Sequence, residues 1–323
     1  MNNLLWFFFI PDYIDKSHNF ISIFGFHIYF YAIAITFGMI VCVLTAIPLF
    51  KRRGENPDFL LDLMIGVIPC SIILARLFYV LFGIDEFIIG GKFDFMQALN
   101  IRDGGLAIYG GVAGGALGIF IVCKIRKKST TKIFDFGAVM LPLGQAIGRW
   151  GNYFNQEVYG AVDPLGRGLP ISVYIQNYGE YHYALFLWES IANLILFGLL
   201  FYFLFNYKGK RNGYTTSFYF MGYGLIRLIM EPMRDPRFNL PLFGIEGLGM
   251  WWTSLALIIG GISIFTVIFI KDFKACGKNF KAYFTYMFGE KKQKKAAEGA
   301  VQEDEKESLP VKRISADKKT DEE

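Results

Sequence analysis

One stretch near the middle of the chain places a cation, an anion and several amides beside an apolar segment. Residues 148–160 read GRWGNYFNQEVYG and include Arg149, Asn152, Asn155 and Glu157. An arginine guanidinium matches phosphate oxygens in a planar fork, and an asparagine amide can hydrogen-bond ester carbonyls and hydroxyls. These residue types favour a ligand that carries phosphate and ester groups.

A second stretch, MGYGLIRLIMEPMRDP at residues 221–236, repeats the theme with helical spacing. At ~100° per residue, four polar side chains fall within ~80° of one another on a helix; they are Tyr223, Arg227, Glu231 and Arg234. Ionisable groups inside a membrane are costly and rarely face lipid, so this stripe predicts a protein interior or a wet cavity. A structural i, i+4 ion pair between Arg227 and Glu231 is the alternative.

The elements that position these residues are predicted to be membrane helices. The chain is 54% hydrophobic and only 19% charged, whereas a soluble chain carries about 25% charged residues. Seven apolar segments approach the ~20 residues that cross a bilayer; they are residues 22–49, 59–83, 104–123, 133–150, 184–205, 215–232 and 248–270. Glycine and polar residues dilute the third and fourth, for which a buried core helix is the alternative. The fold class is therefore an all-α polytopic membrane protein.

Basic residues fall in alternate loops. They follow the first, third, fifth and seventh segments at residues 51–53, 124–132, 208–211 and beyond 271. The positive-inside rule then predicts the N-terminus outside and the C-terminus in the cytoplasm. Residues 1–11 lack a basic start and a small-residue cleavage site, which disfavours a signal peptide.

The same pattern divides the chain into regions. Residues 1–21 are predicted to lie at the outer face, and residues 22–271 to form the membrane domain. A polar loop at about residues 160–183 would form an outer lid. Residues 272–323, rich in Lys, Glu and Asp, are predicted to be a disordered cytoplasmic tail.

With this orientation, three clusters of polar residues are predicted to meet near the outer leaflet. The fourth and sixth segments both end there, and the third begins there with RDGGLAIYGG, which contains Asp103, Gly104, Gly105 and Tyr109. The glycines of residues 104–118 would mostly serve close helix packing, or let backbone amides face a ligand. A phospholipid head group fits this set better than a transported ion, which would need polar groups through the full bilayer depth.

Cysteine usage and net charge point away from several other classes. Cys42, Cys70, Cys123 and Cys276 show no disulfide pairing or metal-ligand spacing and fit small packing residues. No metal or organic cofactor is indicated. The net charge of +5 comes largely from the basic loops and the start of the tail, which suits anionic lipid heads and does not argue for nucleic acid.

GRWGNYFNQEVYG resembles the signature of the bacterial prolipoprotein diacylglyceryl transferases, roughly G-R-x-G-N-F-x-N-x-E-x-x-G, with Tyr153 in place of the usual Phe. YGLIRLIMEPMR is similar to the family's Y-G-x-x-R-x-x-x-E-x-x-R stretch, and GGLAIYGG, ARLFYV with Arg76 and YALFLWES with Glu189 resemble three more of its segments. The resemblance spans about residues 20–270. Two departures stand out, because Tyr109 occupies a position where some relatives have histidine, and Tyr31 is followed by alanine instead of glycine.

A third departure lies in YALFLWES, where Tyr183, Ala184 and Trp188 replace the histidine, proline and tyrosine of the family's H-P-T-x-L-Y-E-S. His182, just before this stretch, is interpreted as a lone exposed histidine without a role.

The resemblance implies a reaction and a place for it. The family moves the diacylglyceryl group of phosphatidylglycerol onto the lipobox cysteine of a prolipoprotein, which forms a thioether and releases glycerol phosphate. The implied location is the bacterial plasma membrane, with the site toward the outer leaflet. The implied partners are phosphatidylglycerol, signal peptides with a lipobox cysteine, and the bilayer. Another phospholipid head-group enzyme and, with less support, a membrane transporter remain as alternatives.

The resemblance also implies residue roles. Arg149 and Arg227 would bind phosphate, Arg234 would complete the clamp, and Asn152 would hold the head group or glycerol backbone. Glu157 and Glu231 would orient the arginines. Further substrate contacts are assigned to Asn155, Tyr31, Arg76, Gly104 and Gly105. The proton acceptor is left open among Tyr109, Glu157, Asp103 and Tyr223.

Overall fold

The computed structural model of the chain describes residues 20–23, 26–101, 104–238 and 248–288. Within these ranges the α-helices are α1 (Phe30–Arg52), α2 (Phe59–Phe82), α3 (Phe95–Leu99), α4 (Ile108–Ile125), α5 (Thr130–Asn155), α6 (Leu185–Asn206), α7 (Tyr214–Met230), α8 (Leu248–Ala275) and α9 (Phe280–Phe288). Three antiparallel hairpins accompany them: β1 (Phe20–Ile23) with β2 (Phe26–Tyr29), β3 (Ile88–Ile89) with β4 (Lys92–Phe93), and β5 (Ser172–Ile175) with β6 (Glu180–Tyr183).

Five of the described helices are long and apolar enough to cross a membrane: α1, α2, α4, α6 and the Trp251–Ala275 part of α8. The two other long helices, α5 and α7, are less suited to cross a membrane, one by its composition and one by its length. α7 has 17 residues, slightly fewer than the ~20 that span the hydrocarbon core, and α5 carries polar side chains such as Asp135 and Arg149. The chain is a mostly helical, multi-pass membrane protein, and the count of seven spans stays a prediction.

The helices form a bundle around α5, which packs against α1, α6, α7 and α4. α8 packs along α7, and α2 joins the bundle through its contact with α4. The main core, which includes Leu49, Phe50, Phe136 and Val139, lies among α1, α5 and their neighbours. Large apolar side chains such as Phe37 on α1 point outward and remain exposed, as expected of helices whose outer surface is solvated by lipid.

α2 and α4 form the closest helix pair, and glycines make the approach possible. A Cβ atom on Gly110 would lie 2.4 Å from the carbonyl oxygen of Leu74. One on Gly114 would lie 2.3 Å from the carbonyl oxygen of Cys70, and one on Gly118 would also meet α2 backbone. This is the small-residue spacing that lets membrane helices touch at their backbones, which confirms the packing interpretation for these three glycines.

The basic loops gather at one end of the bundle, which we call the basic end: residues 53–58, 126–129, 207–213 and the turn between α8 and α9. Lys132 Nζ donates to Glu55 Oε1 at 2.6 Å, and Arg53 Nη1 donates to the carbonyl oxygen of Tyr207 at 2.6 Å. Burial works against the charge of Glu55, but hydrogen bonds from Lys128 and Lys132 outweigh it and lower the pKa of that carboxyl. A single basic end supports the predicted orientation.

Several element boundaries differ from the sequence-based prediction. The first long helix begins at Phe30 and not at residue 22, because the strands β1 (Phe20–Ile23) and β2 (Phe26–Tyr29) precede it. α5 continues past residue 150 to Asn155, where Gln156 takes the left-handed conformation (φ 51°) and ends the helix. Most of the predicted outer-face segment at residues 1–21 lies outside the described residues.

The described part of the predicted tail is helical. α8 runs to Ala275 and α9 follows at Phe280–Phe288, because this region keeps aromatic side chains that pack on α6, α7 and α8. Residues 289–323 lie outside the described residues, so their disorder stays a prediction.

Residues 160–183 form an ordered β segment. β5 pairs with β6 so that Val173 faces His182, and isolated bridges join Gly160 to Arg234 and Val162 to His182. The segment has its own small core, which includes Tyr153, Tyr159, Val173, Ile175 and Phe186. Whether it acts as a lid stays a prediction.

Candidate active site

Five charged side chains from three helices meet at the end of the bundle opposite the basic end. Arg149 comes from the last turns of α5, Glu189 from the first turns of α6, and Arg227 from the end of α7. Glu231 and Arg234 lie in and just after the short 3-10 turn that continues α7. We call these five residues the ion cluster.

Glu189 connects the three arginines of the ion cluster. Its Oε2 atom pairs with Arg149 Nη2, and its Oε1 atom lies 3.5 Å from Arg227 Nη1 and 3.3 Å from Arg234 Nη2. Glu231 adds a second carboxylate, with Oε2 at 3.0 Å from Arg227 Nη2 and 3.6 Å from Arg234 Nε. The predicted stripe of Arg227, Glu231 and Arg234 therefore exists as a set of ion pairs.

The ion cluster is buried and carries one positive charge in excess. Glu189, Arg227, Glu231 and Arg234 are all less than a tenth exposed, whereas the Arg149 side chain is 18% exposed. Charges this deep persist only when they are paired, and two carboxylates cannot neutralise three guanidinium groups. The arrangement therefore suits an anionic ligand that approaches Arg149 from the open side.

The signature residues extend the ion cluster through neutral amides. Arg149 Nη1 donates to Asn152 Oδ1 at 3.3 Å, and Asn152 Nδ2 donates to Glu157 Oε1 at 3.0 Å. Asn155 Nδ2 donates to the same oxygen at 3.5 Å. Glu157 is thus oriented by two amides, and one of them is tied to the guanidinium of Arg149.

The backbone around Glu157 is strained. Gln156 and Val158 both have positive φ, 51° and 54°, which is uncommon outside glycine and unusual for a β-branched residue such as valine. Such strain concentrates at functional sites, where the surrounding structure holds it in place. The Glu157 backbone nitrogen donates to the Asn152 carbonyl oxygen at 3.0 Å, which helps to fix this turn.

Tyr31 lies against α5 within the same region. A Cβ atom on Gly151 would lie 2.4 Å from Tyr31 Cδ2, so the glycine of the signature makes room for the tyrosine ring. Tyr31 remains partly exposed. The substrate contact assigned to Tyr31 stays a prediction.

Three residues predicted to contact the substrate are Arg76, Gly104 and Gly105, and they contact one another in the structure. The Arg76 guanidinium donates to four carbonyl oxygens at 2.8 to 3.0 Å, those of Gln97, Ala98, Gly104 and Gly105. Among the described residues, its hydrogen bonds thus hold the loop between α3 and α4 instead of the ion cluster. Gly104 and Gly105 serve the same loop with positive φ.

The proton-acceptor candidates separate as well. Tyr109 is 52% exposed at the start of α4, and Tyr223 stacks on Tyr219 with ring centroids 5.7 Å apart. Asp103 lies outside the described residues. Glu157 is the candidate whose hydrogen bonds link it to the ion cluster.

The β segment at residues 160–183 covers one flank of the site. Arg167 donates to the Asp163 carboxylate and holds its pKa well below the usual range. Burial, with a hydrogen bond to Tyr178, raises the pKa of Tyr159 to about 12. His182 is fully buried and its Nδ1 lies 2.9 Å from the Gly160 carbonyl oxygen, so the prediction of an exposed histidine was wrong; the hairpin that buries it was not foreseen.

Comparisons with known proteins identify the family. A family profile described as prolipoprotein diacylglyceryl transferase matches residues 18–267. A phosphatidylglycerol–prolipoprotein diacylglyceryl transferase from Finegoldia magna is 34% identical over 241 residues, which cover 75% of this chain and 91% of the relative. A protein of the same name from Streptococcus pneumoniae is 37% identical over 248 residues, with 76% and 90% covered.

The chain belongs to the prolipoprotein diacylglyceryl transferase family. The family match includes the whole ion cluster, the signature and the β segment. It ends before the last turns of α8, so α9 and the charged tail lie beyond it.

The sequence analysis did not predict the central position of Glu189 in the ion cluster. The sequence analysis names Glu189 in the stretch YALFLWES, which resembles a segment of the family, and assigns no function to it. The available signal was a single carboxylate in the otherwise apolar helix LFLWESIANLILF, which is a functional candidate by default. Its three arginine partners lie on other elements, so the spacing of residues along α6 does not predict these contacts.

The described residues were also compared with the ligand groups that metal ions need. No group of three or more His, Cys, Asp or Glu side chains could hold a metal ion in this part of the chain. The four cysteines are free, and Cys123 is fully buried.

Proposed function

We propose that the ion cluster, together with Asn152 and Glu157, binds the phosphate of phosphatidylglycerol and transfers its diacylglyceryl group to the lipobox cysteine of a prolipoprotein. As a member of its family, the chain is a diacylglyceryl transferase that acts on phosphatidylglycerol and prolipoprotein. The observation that carries the site assignment is that three guanidinium groups meet in one buried cluster, in which Arg149 is partly exposed.

The donor phosphate would contact Arg149 first. This guanidinium is the most exposed of the three, and a planar fork binds phosphate oxygens in pairs. Arg227 and Arg234 lie behind it and add positive potential at low dielectric. Asn152 bonds to Arg149, so it is placed to contact the glycerol or ester groups of the same lipid.

The transfer replaces one bond with another. The cysteine sulfur attacks the glycerol carbon that bears the phosphate ester, the C–S thioether forms, and the C–O bond to phosphate breaks. Glycerol phosphate leaves with the electron pair of that bond, and its developing charge is stabilised by the arginines. The thiol proton must go to a base, because the thiolate is the nucleophile.

Glu157 is the base that the described contacts favour over Tyr109 and Tyr223. It accepts hydrogen bonds from two amides at one oxygen, and a carboxylate has about four acceptor positions, so its second oxygen can receive the proton. The fixed turn at residues 156–158 would align it with the incoming thiol.

The proposed site faces the outer leaflet of the bacterial plasma membrane. α5 begins in the basic end at Thr130 and carries Arg149 in its last turns, so the ion cluster lies across the bilayer from the cations. A prolipoprotein presents its lipobox cysteine on that outer side, where the signal peptide meets phosphatidylglycerol.

The test is a reconstituted assay with purified protein, phosphatidylglycerol and a lipobox peptide. Glycerol phosphate release and peptide mass are followed together. We expect a diacylglyceryl mass gain that requires the peptide cysteine, and a drop of about a hundredfold in kcat/KM for Arg149→Ala, the size reported for losing one charge-stabilising donor. Arg126→Ala at the basic end is the matched control, because Arg126 is 56% exposed and pairs with Asp62.

Two results would contradict the proposal. Glycerol phosphate release without peptide modification would indicate another phospholipid head-group enzyme. Full transfer by a folded Arg149→Ala protein would remove the ion cluster from the reaction.

A further inference from the structure

α9 lies across the basic end and is fixed there by one of its faces. The Lys208 backbone nitrogen donates to the Met287 carbonyl oxygen at 2.8 Å, and the Lys210 backbone nitrogen donates to Tyr286 Oη at 2.8 Å. Met287 is buried, and Tyr283 packs on α8 through Phe269 with ring centroids 5.2 Å apart. The helix is therefore docked on the protein and does not project freely.

A second face of α9 is aromatic and uncovered. Phe280 and Phe284 are 70% and 66% exposed. At ~100° per residue the mean direction of Phe280 and Phe284 lies about 60° from that of Tyr283 and Met287, and the polar pair Lys281 and Thr285 lies about 100° further round the helix. Going around the helix, the face docked on the protein is followed by the aromatic face and then by the polar face. This is the arrangement of a helix that lies in the plane of a membrane interface.

The aromatic face continues the lipid-facing surface of α8. Phe280 packs on Phe273 with ring centroids 4.8 Å apart. One to two turns earlier, Val267 and Ile270 are exposed in the segment long and apolar enough to cross a membrane. The same bilayer surface that covers α8 would therefore meet Phe280 and Phe284.

Within the described residues 271–288, the exposed charges beside this face have one sign. Lys271, Lys274, Lys278 and Lys281 are all exposed around the end of α8 and the start of α9. Asp272 is the acidic neighbour, and it is buried and paired with Arg211 at 2.5 Å. A patch of exposed ammonium groups at the head-group level attracts anionic lipid phosphates.

We propose that α9 is an interfacial helix that binds the anionic leaflet at the basic end. Phe280 and Phe284 enter the boundary between head groups and acyl chains, and the four lysines bind lipid phosphates. α9 thereby clamps the α6–α7 loop and the end of α8 to the membrane surface. This proposal is independent of the transferase reaction, because it rests on residues at the far end of the bundle.

The test uses the full chain with its four cysteines replaced by alanine and one nitroxide label per protein, in lipid nanodiscs. Phe284→Cys places the label on the aromatic face, and Thr285→Cys, one residue on, is the matched control on the polar face. Collisions with oxygen report lipid, and collisions with a water-soluble nickel chelate report water. We expect an oxygen-to-nickel ratio several-fold higher at residue 284 than at residue 285. Phe280→Cys provides a second position if the first variant fails to fold.

The lipid charge is varied with phosphatidylserine, which separates head-group binding from the donor lipid of the reaction. We expect the ratio at residue 284 to fall several-fold in discs of phosphatidylcholine alone, and the combined Lys274→Gln, Lys278→Gln and Lys281→Gln variant to lose this dependence. Equal ratios at residues 284 and 285 would overturn the proposal. Spin–spin broadening between labels at residue 284 would also overturn it, because a second copy of the chain would then cover the face.

Discussion

At the scale of single residues, Glu189 determines the geometry of the ion cluster. Its two oxygens contact guanidinium groups from α5, α7 and the turn after α7, so one carboxylate fixes three cations that would otherwise repel one another. Burial makes this role sensitive, since an unpaired charge in the interior costs several kcal/mol. The arginines can therefore stand preorganised before a phosphate arrives.

Glu189→Gln should impair both stability and transfer. Removing one partner of a buried ion pair costs about 3 kcal/mol, and if that loss falls on the positioning of the arginines, kcat/KM should drop about a hundredfold. The thermal unfolding temperature in detergent should fall as well. The measurement is the coupled release and mass assay, combined with thermal unfolding of the same preparations.

Two further variants give this result its meaning. Glu180→Gln removes an exposed carboxylate from β6 and should leave both quantities unchanged. Glu189→Asp keeps the charge and should recover part of the activity. If Glu189→Gln matched the Glu180→Gln control, the ion cluster would not depend on this carboxylate.

How far the sequence predicts such residues depends on how local their contacts are. Helical spacing predicted one shared face for Arg227, Glu231 and Arg234, and the i, i+4 ion pair of Arg227 and Glu231, which was the alternative interpretation, is present at 3.0 Å. Glu189 and Arg149 lie forty residues apart on different helices, so their contact follows only from packing. Arg76 illustrates a different difficulty. The sequence suggested that its guanidinium contacts the substrate, whereas in the structure the guanidinium donates to backbone carbonyl oxygens.

At the scale of helices and strands, the α2–α4 pair tests whether glycine spacing sets the packing. Gly114→Ala places a methyl group 2.3 Å from the Cys70 carbonyl oxygen, closer than atoms can approach, so the helices must separate. We expect a loss of about 1–3 kcal/mol, as for other overpacked sites. The measurement is thermal unfolding in detergent beside the unchanged protein.

Gly111→Ala is the matched control for this substitution. Its new methyl group would lie 3.8 Å from the Ala75 Cβ atom, an ordinary contact, and alanine favours the helix over glycine by about 1 kcal/mol. Its stability should stay equal or rise. Equal losses for the two variants would mean that helix packing does not require glycine at residue 114.

Element boundaries were predictable where the periodicity is long and unpredictable where partners are distant. The long helices α2, α6 and α7 begin and end within two residues of the predicted segments. The three hairpins were not predicted, because strands this short show little alternation of apolar and polar residues. In addition, β6 is held partly by a bridge between His182 and Val162, which lies outside the hairpin. α5 extends five residues beyond the predicted end at residue 150, because the polar signature residues continue the helix on the side that faces the site.

At the scale of the whole molecule, charge and site occupy opposite ends. α6 connects them, since it begins beside the β segment and ends at the loop of residues 207–213. Its 22 residues span roughly 33 Å at 1.5 Å per residue, about the thickness of the hydrocarbon core. If the cations face the cytoplasm, the ion cluster must face the outside, where a secreted thiol would reach it.

This orientation predicts a labelling pattern in spheroplasts that express the chain with its four cysteines replaced by serine. Asn177→Cys, exposed in the turn between β5 and β6, should react at once with a membrane-impermeant thiol reagent, and Lys210→Cys, exposed at the basic end, only after permeabilisation. Labelling after denaturation controls for protein amount. The reverse pattern would place the ion cluster in the cytoplasm. Lipid transfer to a secreted cysteine could then not occur at this site, because the thiol and the arginines would lie on opposite sides of the bilayer.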